Sequence, residues 1–469
     1  MPKKYHINVQ NMPLNFDYIF KFKIVRGENC INCGRCTKVC IYEAHKRRKD
    51  DPRKMAEPNT VVCRNCFRCI QECPRGALEK SLSSEFTNIS GEYWKPDMLL
   101  SLWKQAETGG VPVSGAGYRG PFTGKGFDSM WTDMSEIVRP TRDGIHGREY
   151  ISTTVELGRK LNHLVFDSNR QLISKVPNNV SISIPILFDI PENYLISNIK
   201  EAVIKAAGEL DTCAIVPAAE ITPEIEKYMH NIIPHFTAAE MDKNYALIKK
   251  ARLVEIEYND DVLKDLPDLK KKIKMVSNAV VVVRVPAVKN VESIVMGLVK
   301  NGAEVVHIVA DYRGHGFDGS ASREGRFLKD IIRTIHLALV ENCIRDEITV
   351  IASGGIGMAE HVTKAMLCGA DMTAIDIPIL VALGARIYEE PEKLLILPEG
   401  LDKIQIPVVM QRIVNLVGAW HSQILEMMGA MGIREIRRLR GESGRAMFFE
   451  ELDRDTFGNI FGKREEMKI

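Results

Sequence analysis

Eight of the 11 cysteines fall into two short runs, CINCGRCTKVC over residues 30–40 and CRNCFRCIQEC over residues 63–73. Each reads C-x2-C-x2-C-x3-C, the spacing that wraps a cubane iron–sulfur cluster. Three thiolates on one tight loop reach three irons, and the fourth ligand comes from the other run. That exchange predicts Cys30, Cys33, Cys36 and Cys73 around one 4Fe-4S cluster, and Cys63, Cys66, Cys69 and Cys40 around a second. Zinc sites favour paired C-x2-C units over triplets, and disulfides are disfavoured in a reducing compartment. Gly34 suits the tight turn, and Pro74 follows the second run where Ile41 follows the first. Between the runs, EAHKRRKDDPRK (43–54) is a basic loop that could steer in an acidic electron carrier, or simply be a solvated loop. The other cysteines, Cys213, Cys343 and Cys368, sit in apolar patterns and read as small buried hydrophobes.

Thiols that hold one-electron centres need an acceptor, so the rest of the chain must position one. Eight short β-branched runs follow residue 180: 181–190, 212–218, 232–238, 252–258, 279–287, 304–311, 348–355 and 372–380. Helical stretches separate them, which implies parallel strands buried on both faces. Eight such units in about 200 residues predict a TIM-type (β/α)8 barrel behind an N-terminal two-cluster ferredoxin-like domain, with a doubly wound open sheet as the competing arrangement. The division expected is 1–85 for the ferredoxin-like domain, 86–180 for a connecting segment with one amphipathic helix near 97–107, 181–405 for the barrel, and 406–469 for a C-terminal helical segment.

A barrel of this kind works at the C-terminal ends of its strands. Those ends include Asp189, Pro217, Glu257, Arg284, Asp311 and Ser353-Gly354-Gly355. Gly354 and Gly355, after the seventh strand, are placed to cradle a phosphate at the following helix N-terminus. His315 and Asp318 in DYRGHGFDG are candidate proton donors. GAGYRG (115–120) lacks the strand-to-helix context of a dinucleotide fingerprint and reads as turn glycine. The arginines of REIRRLRGESGR (434–445) have helical spacing and are expected to pair with nearby glutamates on a solvated helix.

The totals exclude several classes. Apolar residues are 45% and charged residues 26% of 469, and 63 basic against 61 acidic side chains leave a net charge of +2. No global field attracts nucleic acid. There is no run of about 18 apolar residues and no signal-type start, so a cytoplasmic location without a membrane span is expected.

The segments YWKPDMLLSLWKQAETG, VVVRVP, HIVADYRGHGFDGSAS, IASGGIG, GADMTAIDIPILVALGA and VNLVGAWHSQILEMMGAMGIREIRRLRGE, behind the cysteine runs, together resemble the FMN-binding domain of glutamate synthase in its short archaeal-type form. The resemblance implies that electrons pass through the clusters to FMN, which reduces a 2-imino acid. It implies that Arg284 stands where that family has a lysine near flavin and substrate, that Gly319 and Ser320 lie in the glycine-rich loop beside the ring, and that Ser353, Gly354 and Gly355 belong to the phosphate loop. It also implies a redox partner, a ferredoxin or an NAD(P)H-oxidising flavoprotein, within an oligomer or complex.

Departures accompany the match. Asp376 and Ile377 stand where the phosphate loop carries a glycine and a small residue, and Gly357 and Met358 replace a polar or basic partner. Ala385 replaces the first cysteine of a three-iron cluster, and a chain starting Met-Pro lacks the N-terminal cysteine of a glutaminase. Strand one ends LFDIP, which predicts an altered pocket. These changes favour, as the alternative, a non-catalytic electron-transfer or scaffold subunit with an altered or lost flavin site.

Overall fold

The computed structural model describes residues 6–13, 19–60, 62–89, 91, 93–111, 124–133, 150–317, 325–388 and 395–461. The front domain is small. Strands β1 (Phe22–Arg26) and β2 (Leu78–Leu82) pair antiparallel and bracket two one-turn helices, α1 (Arg35–Val39) and α2 (Arg68–Gln71). Among the described residues its buried cluster is Ile24, Met55 and Leu78 with the Cys36 and Cys69 side chains, separate from the main core of the molecule. So little apolar burial leaves the stability of this domain dependent on whatever its cysteines hold.

The described linker helix packs on the barrel's helices. Helix α3 (Pro96–Thr108) starts with proline at its first turn and stops at Gly109, whose φ of 66° supplies the left-handed cap. It buries Met98, Leu99, Leu102 and Ala106. Lys21 from the front domain reaches Asp97 at 3.1 Å, tying the two parts together.

Eight parallel strands close into the expected barrel: β3 (Ile186–Phe188), β4 (Ala214–Pro217), β5 (Ile232–Phe236), β6 (Leu253–Glu257), β7 (Val280–Pro286), β8 (Val305–Val309), β9 (Thr349–Ser353) and β10 (Met372–Ile375). β10 returns to pair with β3 at Thr373↔Ile186 and Ala374↔Leu187. Nearly continuous Val and Ile make each strand fit a sheet buried on both faces.

Two runs differ from the strands by more than two residues at an end. The 181–190 run splits, because Pro185 interrupts it: Val180–Ile182 pairs outside the barrel with Val155–Leu157, and only Ile186–Phe188 enters the ring. The 372–380 run stops at Ile375, where Asp376 caps a short helix, α5 (Ile377–Ala382), with proline in its first turn. Helix α4 (Ala359–Cys368) follows β9, and the long α6 (Ile406–Ala430) lies across α3 and the N-terminal segment, where Gln411 and Asn415 bond the backbone of Asn8 and Gln10.

The arginine-rich 434–445 segment is not an α-helix. It forms 3-10 turns at Ile436–Leu439 and Ser443–Arg445. Its arginines do pair with acids: Arg437 with Glu156 and Glu435, and Arg440 with Asp346 and the partly buried Asp371. Cys213 and Cys368 are buried, whereas Cys343 is exposed at a left-handed turn position that its apolar surroundings in sequence did not signal. No helix among the described residues is long and apolar enough to cross a membrane.

Candidate functional site

The eight motif cysteines form two groups, each around its own cavity. Cys30, Cys33, Cys36 and Cys73 line one of ≈ 320 Å³, with Arg26, Gly34, Arg35, Met55 and Arg75 among its walls. Cys40, Cys63, Cys66 and Cys69 line another of ≈ 300 Å³, with Tyr42, His45, Arg64 and Arg68. The last cysteine of each run therefore sits with the other run's first three. Matching left-handed turns bend both loops: Asn32 and Gly34 at φ 56° and 74°, Asn65 and Phe67 at φ 54° and 59°.

Donors point at the sulfurs. The Ala44 amide donates to Cys40 Sγ at 3.3 Å and the Ala77 amide to Cys73 Sγ at 3.2 Å. Arg26 Nη1 donates to Cys30 Sγ at 3.3 Å and lies 4.0 Å from Cys36 Sγ, while its Nε is buried with no partner among the described residues. Burial and mutual repulsion with Cys63, Cys66 and Cys40 push the Cys69 thiol up to about 11. Grouped thiols, inward amides and an orphaned guanidinium nitrogen all fit an anionic metal–sulfide cluster that bonds these sulfurs and accepts from these donors.

At the barrel mouth the strand ends carry a charged network. Glu255 on β6 is fully buried. Its two oxygens meet His307 Nδ1 on β8 at 2.6 Å, His235 Nδ1 on β5 at 2.9 Å and Arg284 Nη1 on β7 at 3.3 Å. His307 Nε2 continues to Ser353 Oγ on β9 at 2.9 Å, and Arg284 Nη2 reaches Asp189 at the end of β3 at 2.9 Å. Burial alone would raise the Glu255 carboxyl. The charges of His307 and Arg284, and hydrogen bonds from both histidines, hold it well below its ordinary value instead. Against the desolvation that would lower it, the Glu255 hydrogen bond and charge raise His235.

Ser353 and Arg284 were expected here. Glu255, His235 and His307 were not, although each is a polar residue inside an otherwise apolar strand run, in VEIE, IIPHF and VVHIV. A buried charge needs a partner, so one such residue in a strand implies others on the strands beside it.

The corner after β9 is packed tightly against the loop after β8 and the aromatic linker residues. Gly354 and Gly355 take φ of 99° and 66°; a Cβ on Gly354 would lie 2.6 Å from the Ala310 and Asp311 oxygens, and one on Gly355 2.6 Å from the Gly314 nitrogen. These glycines are thus demanded by the loop after β8, which packs directly on them. Tyr93 donates its hydroxyl to the Gly355 carbonyl at 2.5 Å, and Trp94 donates Nε1 to the Tyr312 carbonyl at 3.0 Å. A Cβ on Gly357 would meet Trp94 and the Met98 sulfur at 2.9 Å, and the Gly357 amide already donates to His361 Nδ1 at 3.1 Å. Asp376 Oδ1 accepts the Ile377 amide at 2.6 Å, the donor a phosphate would use on α5. Burial pushes Asp376 up to about 7, with Asp189 adding to the effect.

Arg284, with about a quarter of its side chain exposed at the mouth, and Ser353 fit a flavin ring; beside Gly354 and Gly355, two amides that a phosphate could use, those of Gly357 and Ile377, already have protein partners. His315 stacks on Phe327 with ring centroids 4.2 Å apart and lies 3.9 Å from Asp311. Asp318, Gly319 and Ser320 lie outside the described residues.

Residues 239–434 match the conserved region in glutamate synthase, and residues 23–74 match the 4Fe-4S dicluster domain. The chain carries a glutamate synthase region behind a two-cluster ferredoxin domain. The archaeal glutamate synthase [NADPH] of Archaeoglobus fulgidus is 26% identical over 92% of this chain and 95% of its own. The archaeal-type glutamate synthase [NADPH] of Dehalococcoides mccartyi is 26% identical over 90% and 94% respectively. Among solved structures, the recombinant flavin-binding domain of baker's yeast flavocytochrome b2 overlaps at a TM-score of 0.43 with 12% identity, covering 68% of this chain and 76% of that one.

Proposed function

We propose that this chain is an iron–sulfur flavoprotein oxidoreductase of the glutamate synthase type, in which the eight motif cysteines hold two 4Fe-4S clusters that supply single electrons and the barrel mouth holds an FMN that collects them in pairs to reduce a 2-imino acid. The observation that carries the reading is the pair of four-thiol cavities, with inward donors, joined to a barrel from that family.

The chain's own residues then have definite tasks. Arg284 presents a fixed cation at the mouth, oriented by Asp189 and Glu255 on either side, where an anionic substrate or reduced ring needs charge compensation. Glu255 accepts from His307, His235 and Arg284, so Ser353 is linked to the opposite wall by an unbroken hydrogen-bonded chain that can hold a proton without exposing it to water. A ferredoxin or an NAD(P)H-oxidising flavoprotein is the proposed source of electrons, since the chain carries cysteine arrays to receive them and its relatives are named for NADPH.

The packed corner favours a second reading, an electron-transfer or scaffold subunit whose flavin site is altered or lost. Anaerobic purification followed by iron, sulfide and flavin counts separates the two. The enzyme reading expects both clusters and one flavin per chain, with glutamate formed from 2-oxoglutarate and ammonia when a one-electron donor is supplied. Full iron with no flavin and no glutamate establishes the subunit reading. Iron near zero removes both.

A further inference from the structure

The two cysteine groups are built from almost the same motif, yet among the described residues a half-buried cation bonded to the sulfurs serves only one of them. Both cavities have two exposed arginines at their rims, Arg35 and Arg75 on one and Arg64 and Arg68 on the other. Water and salt screen such charges, so the rims give neither group a large advantage. Arg26, at the end of β1, is different. Its Nη1 is 3.3 Å from Cys30 Sγ and 4.0 Å from Cys36 Sγ, its Nη2 donates to the Ala56 carbonyl at 3.2 Å, and its buried Nε has no partner among the described residues.

The same Nη2 lies 3.4 Å from His45 Nδ1. His45 is buried and lines the other cavity. Burial and the neighbouring guanidinium charge lower its pKa, so this contact favours no equivalent cation for the second group. The residue four places before the first cysteine of the second run is Asn59, which is neutral where Arg26 is charged. No carboxylate is among the partners of Arg26 in the described residues, so its charge is spent on sulfur.

Resting on the cluster reading above, we propose that Arg26 is a positioning residue that makes the site of Cys30, Cys33, Cys36 and Cys73 the more easily reduced of the two. Reduction adds one negative charge to a cluster, and a fixed cation hydrogen-bonded to its thiolates favours that added charge. An electron delivered by a one-electron donor then rests on this site before the other. No bond is made or broken and no proton moves.

The test is a redox titration of the anaerobically purified full chain, followed by electron paramagnetic resonance, on the wild type, Arg26→Gln and Arg26→Lys. Iron counts come first: a wild type without eight irons' worth of signal refutes the cluster reading itself and is recognised before any potential is read. With both clusters present, two separate midpoints are expected. Arg26→Gln lowers the higher one by at least tenfold in its one-electron equilibrium, about 59 mV, and leaves the lower one in place. Arg26→Lys, whose compact ammonium cannot serve both sulfurs and the Ala56 carbonyl, gives a smaller fall in the same midpoint. Should the glutamine variant fail to load iron, the lysine variant carries the test alone. Equal midpoints in the wild type, or variants that move the lower midpoint or neither, overturn the proposal.

Discussion

The cysteine domain and the barrel mouth hold their polar groups in opposite ways. In the front domain the sulfurs face open cavities, two backbone amides point at them, and Arg26 keeps a buried nitrogen without a partner among the described residues. At the barrel mouth every oxygen of Glu255 is taken, Asp376 consumes the amide of its own helix, and aromatic side chains occupy the glycine corner. A site with unmet donors is arranged around something that must arrive. A site whose donors are met internally stands by itself, and any ligand has to displace protein contacts or lie outside them.

The largest effect should come from the front domain. Replacing Cys36 or Cys69, each buried in its group, by alanine removes one cluster and with it most of the order of a domain that has almost no other core. Iron per chain is expected to fall by about half or more. Loss of iron from neither variant would mean that these cavities hold nothing of the kind.

Next is Glu255→Gln. The amide keeps the shape but leaves Arg284 with Asp189 alone, and turns one acceptor oxygen that a histidine now uses into a donor. Removing one partner of a buried charge network costs about 3–5 kcal/mol, readable as a shift in the urea midpoint of the barrel transition. A loss below about 1 kcal/mol would show that the network is not the self-sufficient unit the contrast requires.

The contrast also explains what the sequence could and could not convey. Cysteine spacing is local: C-x2-C-x2-C confines three sulfurs to one loop, so both four-cysteine groups could be written down from the two runs. Barrel strands were equally legible, because eight β-branched runs separated by helical stretches leave few alternatives, and only Pro185 and Asp376 moved an end by more than two residues. The charged network was not legible, because Glu255, His235 and His307 are far apart in sequence and meet only when β5, β6 and β8 close into a ring. Tyr93 and Trp94 were hidden for the same reason. They come from a linker, and nothing in the linker says that it seals a corner of the barrel more than 250 residues away, as Tyr93 does on Gly355.

Asp376 supplies a pH test of the packed corner. Its folded carboxyl sits at about 7, above the ordinary 3.8 that applies when the chain is unfolded. Below pH 4 both states hold the proton and no penalty exists. As pH rises from 4 towards 7 the unfolded chain ionises while the folded one does not, so stability falls, and above 7 the penalty stays constant. Its size is on the order of 4 kcal/mol. Asp376→Asn keeps an oxygen for the Ile377 amide and cannot ionise, so its stability curve should be flatter than the wild type's over that window. Parallel curves for the two proteins would mean that the carboxylate is compensated and the corner is not closed to anions.

The smallest effect distinguishes the two cysteine loops from each other. Gly34 and Phe67 hold corresponding left-handed positions, but phenylalanine accepts a conformation that glycine takes without cost. Gly34→Ala brings a Cβ to 3.1 Å from Arg47 Nη2, the movable end of an exposed side chain, so the expected loss is mainly the backbone penalty of about 1 kcal/mol. Phe67 offsets that penalty with its ring, which meets Phe22 edge-on at 5.6 Å and lies under Lys80 at 5.5 Å. Phe67→Ala keeps the strained backbone and loses those contacts, again about 1 kcal/mol, whereas Phe67→Gly relieves the strain while losing them and should come out near neutral. Thermal bleaching of the cluster absorbance reads all three. If Phe67→Gly were as damaging as Phe67→Ala, the left-handed turn would carry no strain, and the two loops would be alike in backbone as well as in spacing.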